Sequence, residues 1–211
     1  MVMKEILGKK LGMTRIFRQD GETVPVTVIE AGPCKVVQVK TAKTDGYLAY
    51  QVGFGEKRKV LINRPTAKHF EKAKVEPTRY LREIRFDSAQ LEVGADVKVD
   101  AFKEGERVDI SGVTRGLGFE GVMKRHNFKG AGMTHGQSDR SRAPGSMGSS
   151  SFPSRTFKGQ RMATRMGRSN FTVLNLEVVQ VMPDENLMLV KGAVPGFKGS
   201  LVKVRSTNRG R

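Results

Sequence analysis

The residues of this 211-residue chain best able to move a proton or hold a metal ion are His126, His135 and Asp139. A zinc site needs three or four ligands, and a general acid–base pair needs a pocket that sets its geometry. The two histidines stand nine positions apart in a glycine-rich basic run with one acid beside them, which supplies neither. No catalytic residue, metal ligand or cofactor is assigned from this set. Gly116-Leu117-Gly118-Phe119-Glu120-Gly121 has the spacing of a dinucleotide-binding loop. Such a loop must open an apolar helix and be followed about twenty residues on by an acid that ends a second strand. The continuation VMKRHNFKGAG is basic and broken by glycine, so these glycines read as a flexible junction. Cys34 is the single cysteine, which excludes an internal disulfide and a thiolate zinc site; a small buried hydrophobe is its expected role.

A second chemistry, the binding of a polyanion, has far more residues behind it. Gly121–Arg168 holds ten Lys/Arg, one acid, eight glycines and no leucine or isoleucine in 48 residues. So little apolar area cannot offset the entropy of ordering, so the segment is expected to be mobile alone and ordered by a charged partner. It carries a net charge of +9, while the other 163 residues, with 28 bases and 20 acids, carry +8 of the total +17. One strongly basic insertion in a near-ordinary domain points to nucleic acid ahead of a membrane surface. Lys124, Arg125, Lys129, Arg140 and Arg142 lie on the outgoing arm, and Arg155, Lys158, Arg161, Arg165 and Arg168 on the returning one. These can hold phosphates, while His126, His135, Phe128, Phe152 and Phe157 can stack on bases splayed from a folded RNA. Between the arms Pro144–Ser151 is small and uncharged, as a tip entering a narrow cleft would be. Arms of about 20 residues could each reach about 60 Å if fully extended. On these grounds alone a basic loop with no fixed site stays open beside a threaded RNA contact.

The elements that must position this segment are β-strands. VPVTVIE (24–30), KVVQVK (35–40) and YLAYQVGF (47–54) are separated by turn signals at Gly32-Pro33 and Asp45-Gly46, a spacing that suits a barrel or sandwich. A short helix is expected over 66–74 after Pro65, capped by Thr66, within an insertion at about 60–85; His69 there is a packing or surface histidine. Strands resume at 97–102 and 107–113, the basic segment intervenes, and strands return at 171–181, 186–192 and 200–206. The expected organisation is a body formed by 1–120 and 169–211, interrupted by a 121–168 extended loop. The bases near the N-terminus (Lys4, Lys9, Lys10, Arg15, Arg18) read as a solvated face, and Ser206–Arg211 as a frayed tail. The N-terminus lacks the apolar run of a signal peptide and no apolar segment approaches membrane-spanning length, which reads as a soluble protein of a reducing compartment.

Eight segments, in order along nearly the whole chain, resemble the bacterial form of the large-subunit ribosomal protein L-three family. They are GKKLGMTRIF, PVTVIEAGPC, TDGY, GLGFEGVMKRHNF, THG, RAPGSMG, FKGQRMATRMG and NLMLVKGAVPG. The resemblance implies a mainly β fold: a six-stranded barrel of the translation-factor type carrying a long basic extension. It further implies a structural, non-enzymatic constituent of the cytoplasmic ribosome that binds near the 3′ end of large-subunit ribosomal RNA and helps to nucleate assembly. Its partners would be that RNA and neighbouring ribosomal proteins, with no membrane and no small-molecule substrate. Carried onto this sequence, the tip approaching the peptidyl-transferase centre is Gly145, Ser146, Met147, Gly148, Ser149, Ser150 and Ser151. Two positions depart from the family pattern. His126 stands where the family has tryptophan, and Ser151 where many bacterial members have an N5-methylated glutamine, so that modification is not expected here. An RNA-modifying enzyme built on His126, His135 and Asp139, and a free basic RNA chaperone, are the competing readings.

Overall fold

In chain order the computed structural model, which describes residues 4–85 and 91–207, begins with three strands. These are β1 (Glu5–Phe17), β2 (Thr23–Ala31) and β3 (Cys34–Lys40). A single turn of helix, α1 (Ala42–Asp45), precedes β4 (Ala49–Glu56), helix α2 (Arg64–Ala73), β5 (Thr78–Arg85), the two-residue β6 (Asp96–Val97) and β7 (Arg107–Val113). Next come β8 (Gly118–Glu120), helix α3 (Val122–His126) and β9 (Thr164–Met166). The chain closes with β10 (Asn170–Met182), β11 (Leu187–Lys191) and β12 (Leu201–Ser206). It divides into two compact units, Met1–Thr114 with Asn170–Arg211, and Arg115–Ser169. No helix among the described residues is long and apolar enough to cross a membrane.

The first unit contains a closed six-stranded barrel in the order β1-β12-β7-β10-β11-β2, antiparallel at every pairing. Its strands alternate buried and exposed positions, as a sheet with one face on a core must. Thus β2 buries Val24, Val26 and Ile29, and β12 buries Val202 and Val204. The longest strand of the first half, β1, was not read from the sequence, because Gly8 and Gly12 interrupt its β-branched content. Gly8 is required by contact: a Cβ there would lie 2.7 Å from the Glu30 carbonyl oxygen and 2.8 Å from the Ile29 side chain. Its absence lets β1 close against β2.

The strands over 35–40 and 47–54 exist but stand outside the barrel. β3 and β4 form a separate four-stranded sheet in the order β5-β4-β3-β6, and one apolar cluster runs from Ile6, Leu7 and Val108 in the barrel to Val36, Val52 and Ile84 in this sheet. Three local expectations are corrected. The helix starts at Arg64 rather than Thr66, with Asn63 at its N-cap, no side-chain cap bond, and Pro65 in its first turn, where proline's fixed φ is favourable. The latter part of the expected helical insertion is strand β5, in register with β4 from Thr78↔Glu56 to Arg85↔Ala49. The run 97–102 is strand only at Val97, and Val99–Ala101 form a 3-10 turn. Val99 and Phe102 both face the core three residues apart, a spacing that a 3-10 turn satisfies and a strand does not. Of the expected frayed tail, Ser206 ends β12, and 208–211 lie outside the described residues.

Polar side chains inside this unit brace irregular backbone. Asp109, 3% exposed, accepts from the Asn175 backbone N–H at 2.9 Å and from Arg205 at 3.1 Å. Asn175 has φ 59° at the bulge where β10 shifts register against β7. Cys34 is fully buried, its thiol donates to the Leu7 carbonyl at 3.4 Å, and burial pushes its pKa up to about 12. It is therefore the neutral packing cysteine expected from the sequence. The bases near the N-terminus do more than face solvent: Arg18 pairs with Glu177 at 2.9 Å and Lys10 donates to the Val194 carbonyl at 2.7 Å. His69 donates to Gln51 at 2.6 Å, a packing role.

Candidate nucleic-acid interface

The second unit, Arg115–Ser169, holds eleven Lys/Arg against Glu120 and Asp139, a net charge of +9. Its regular structure lies at its ends. β8 and β9 pair antiparallel through Gly118↔Met166, Phe119↔Arg165 and Glu120↔Thr164, extended by a bond from the Leu117 N–H to the Met166 carbonyl at 3.0 Å. α3 follows at once, its start set by Gly121 and its end by Asn127 in the left-handed conformation at φ 59°. Lys124, Arg125 and His126 fall in its last turn, where cations offset the partial negative charge of the helix end. Lys124 also reaches back one turn to Glu120 at 2.6 Å. Val122 is the one residue of 115–169 that is buried, so apolar packing supplies little of this unit's order.

From 127 to 163 no helix or strand forms, and order comes from a few hydrogen bonds. The Ala131 N–H donates to the Ser141 carbonyl at 3.0 Å, closing a loop. Inside it the Gln137 amide, turned with its oxygen inward, accepts from the Arg140 and Ser141 N–H groups at 3.1 Å each. Gly130 makes the closure possible: it has φ 76°, and any Cβ would collide with the Ser141 carbonyl oxygen. The outgoing arm is therefore not the extended strand that its length would allow. The loop folds back ten residues, about 33 Å of contour, and α3 rises only about 1.5 Å per residue. At the tip the Ser146 hydroxyl and Gly148 exchange bonds (3.1 Å to the carbonyl, 3.4 Å from the N–H), and the Ser154 hydroxyl donates to the Ser151 carbonyl. Gly145 through Ser151 are all exposed.

Nine of the ten cations singled out from the sequence are exposed: Lys124, Lys129, Arg140, Arg142, Arg155, Lys158, Arg161, Arg165 and Arg168. Arg125 is half-buried and its Nε has no partner. Apart from Lys124, none of the ten pairs with a carboxylate among the described residues, so their charge faces outward; Arg155 stacks over Phe157 at 5.4 Å. The two histidines separate. His126 is half-buried, donates to the Met162 carbonyl at 3.2 Å and lies 6.3 Å from the Phe128 ring, so it ties the outgoing arm to the returning one. His135 is exposed with φ 59°, and no hydrogen bond or ion pair joins it to Asp139. Among the described residues no three His, Cys, Asp or Glu come together as metal ligands. Phe152 and Phe157 are exposed, as are Phe119 and Met133, which sequence reading passed over. The signal for Phe119 was masked by the glycine motif around it.

An exposed and largely unpaired cationic surface with protruding aromatic rings is suited to bind a polyanion and to stack on bases. Comparison with known proteins supplies the family. The family profile described as ribosomal protein L3 matches residues 81–186. The large ribosomal subunit protein uL3 of Chlorobaculum parvum is 58% identical over 209 residues, covering 98% of this chain and 100% of that one. The uL3 proteins of Chlorobaculum tepidum and Chlorobium limicola are 57% and 55% identical over the same span. With identity at that level along nearly its entire length, and with the closed barrel and basic unit described above, this chain belongs to the ribosomal protein L3 family.

Proposed function

We infer that this chain is a structural constituent of the large ribosomal subunit in the bacterial cytoplasm, and that its Arg115–Ser169 unit is an RNA-binding element. The first part rests on membership of a family whose members are structural components and not enzymes. The second rests on one observation above all: ten exposed cations, Arg115 among them, in a unit that buries a single residue. Such a unit gains its order from the partner that neutralises it. Phosphates of large-subunit ribosomal RNA fit the cations, and unstacked bases fit the exposed rings. In keeping with the family resemblance, the protein binds near the 3′ end of that RNA, helps to nucleate subunit assembly, and directs Gly145–Ser151 towards the peptidyl-transferase centre. The body meets neighbouring ribosomal proteins.

Deleting Gly130–Ser154 tests this reading. The closed barrel contains no residue of the deleted segment, so the variant should retain the far-ultraviolet spectrum and cooperative melting of the barrel. Large subunits should nonetheless accumulate as slow-sedimenting precursors. Wild-type sedimentation and translation in cells carrying only the deletion would overturn the proposal.

A further inference from the structure

The β8–β9 hairpin is oriented against the logic of folding. Cross-strand partners share a face, so Phe119 and Arg165 project on one side, and Glu120 with Thr164 on the other. Phe119 is 76% exposed, whereas the Glu120 side chain is 19% exposed. A one-residue slip would reverse the faces, burying the phenylalanine and releasing the carboxylate. Apolar burial favours that reversed register, and the chain does not adopt it. Among the described residues no cation stacks on the ring, and Arg165 pairs with no carboxylate. Its position is defined, because this hairpin is the only sheet of the unit and Lys124 braces the Glu120 side of it.

We propose that Phe119 and Arg165 form a nucleotide-binding platform in which the ring stacks on an unpaired base and the guanidinium holds that nucleotide's phosphate. The partner is a splayed-out or single-stranded residue, because bases inside a duplex already have both faces covered. A protein contact would use the ring but would have no use for a free guanidinium beside it in a unit of net charge +9. This inference rests on the RNA-binding reading of the same unit and adds a defined recognition site to it.

The chain has no tryptophan, so Phe119→Trp provides a single reporter whose emission is quenched on stacking. The full-length protein is titrated with deproteinised large-subunit ribosomal RNA. Quenching is expected for Phe119→Trp; affinity should stay within about twofold for Phe119→Tyr and fall about tenfold for Phe119→Leu, since stacking is specific to π-faces. The salt dependence of the Leu variant should match wild type, because no phosphate contact is lost. Unquenched emission on bound RNA, with wild-type affinity for Phe119→Leu, overturns the platform and leaves Phe119 to a protein contact. Failure of the wild-type protein to bind the RNA would instead overturn the broader reading.

Discussion

Replacing Arg140, Arg142, Arg155 and Arg161 together by alanine separates phosphate binding from every structural role of the extension. All four side chains are exposed and none makes an ion pair among the described residues; Arg155 stacks over Phe157. The bonds that close the 131–141 loop use the Arg140 backbone, which alanine retains. Surface substitutions of this kind cost at most about 0.5 kcal/mol each, so the melting transition of the body should not move. Each lost phosphate contact lowers the slope of log K against log salt by about 0.7–0.9, so four contacts lower it by about 3. If counterion release supplies their whole contribution, affinity falls about 10³-fold at 0.1 M salt and about 40-fold at 0.3 M, and the two lines converge near 1 M. Fluorescence anisotropy with deproteinised large-subunit ribosomal RNA across that salt range measures slope and offset together. Parallel lines of equal slope would refute phosphate contact at these positions. A fall in slope accompanied by loss of the melting transition would refute the separation of binding from folding.

Asp109→Ala should destabilise the protein by about 3 kcal/mol, because it strips a buried acceptor from the Asn175 N–H and leaves Arg205 unpaired. Urea unfolding reads this directly, and a loss under about 1 kcal/mol would show that the β10 bulge holds without it. Cys34 gives a pH-dependent effect. Burial raises its pKa from 9.0 to about 12, so the unfolded chain releases this proton first. Its contribution is full below about pH 9 and is lost as pH rises through the interval to about 12. Wild type should therefore lose about 1.4 kcal/mol of its advantage over Cys34→Ala between pH 7.5 and 10. An unchanged gap in urea midpoints would refute burial of the neutral thiol.

Much of the barrel was legible because its strands carry period-two hydrophobicity. β7 runs over the expected 107–113, and β10 and β11 lie within a residue of their expected ends. β1 was not legible, since Gly8 is defined by a carbonyl and a methyl on β2 and not by its own neighbours. Nor was the allocation of β3 and β4 to a second sheet, because alternation reports that a strand has a buried face and not which sheet it joins. In the extension, the cations and the neutral tip followed from composition. The inward turn at 131–141 did not, because it depends on Gln137 and Gly130 meeting the backbone at Ser141.

Charge distribution and apolar scarcity are properties of the chain in any conformation. That Gly121–Arg168 carries +9, has too little apolar area to build a core and is suited to a polyanion was therefore legible in the sequence alone. Tertiary structure decided which of those residues are available. It tied His126 to Met162, half-buried Arg125, and turned Phe119 outward while Glu120 went in. Those choices arise from close approach of residues up to 48 positions apart across the β8–β9 pairing, a distance over which no local pattern carries information.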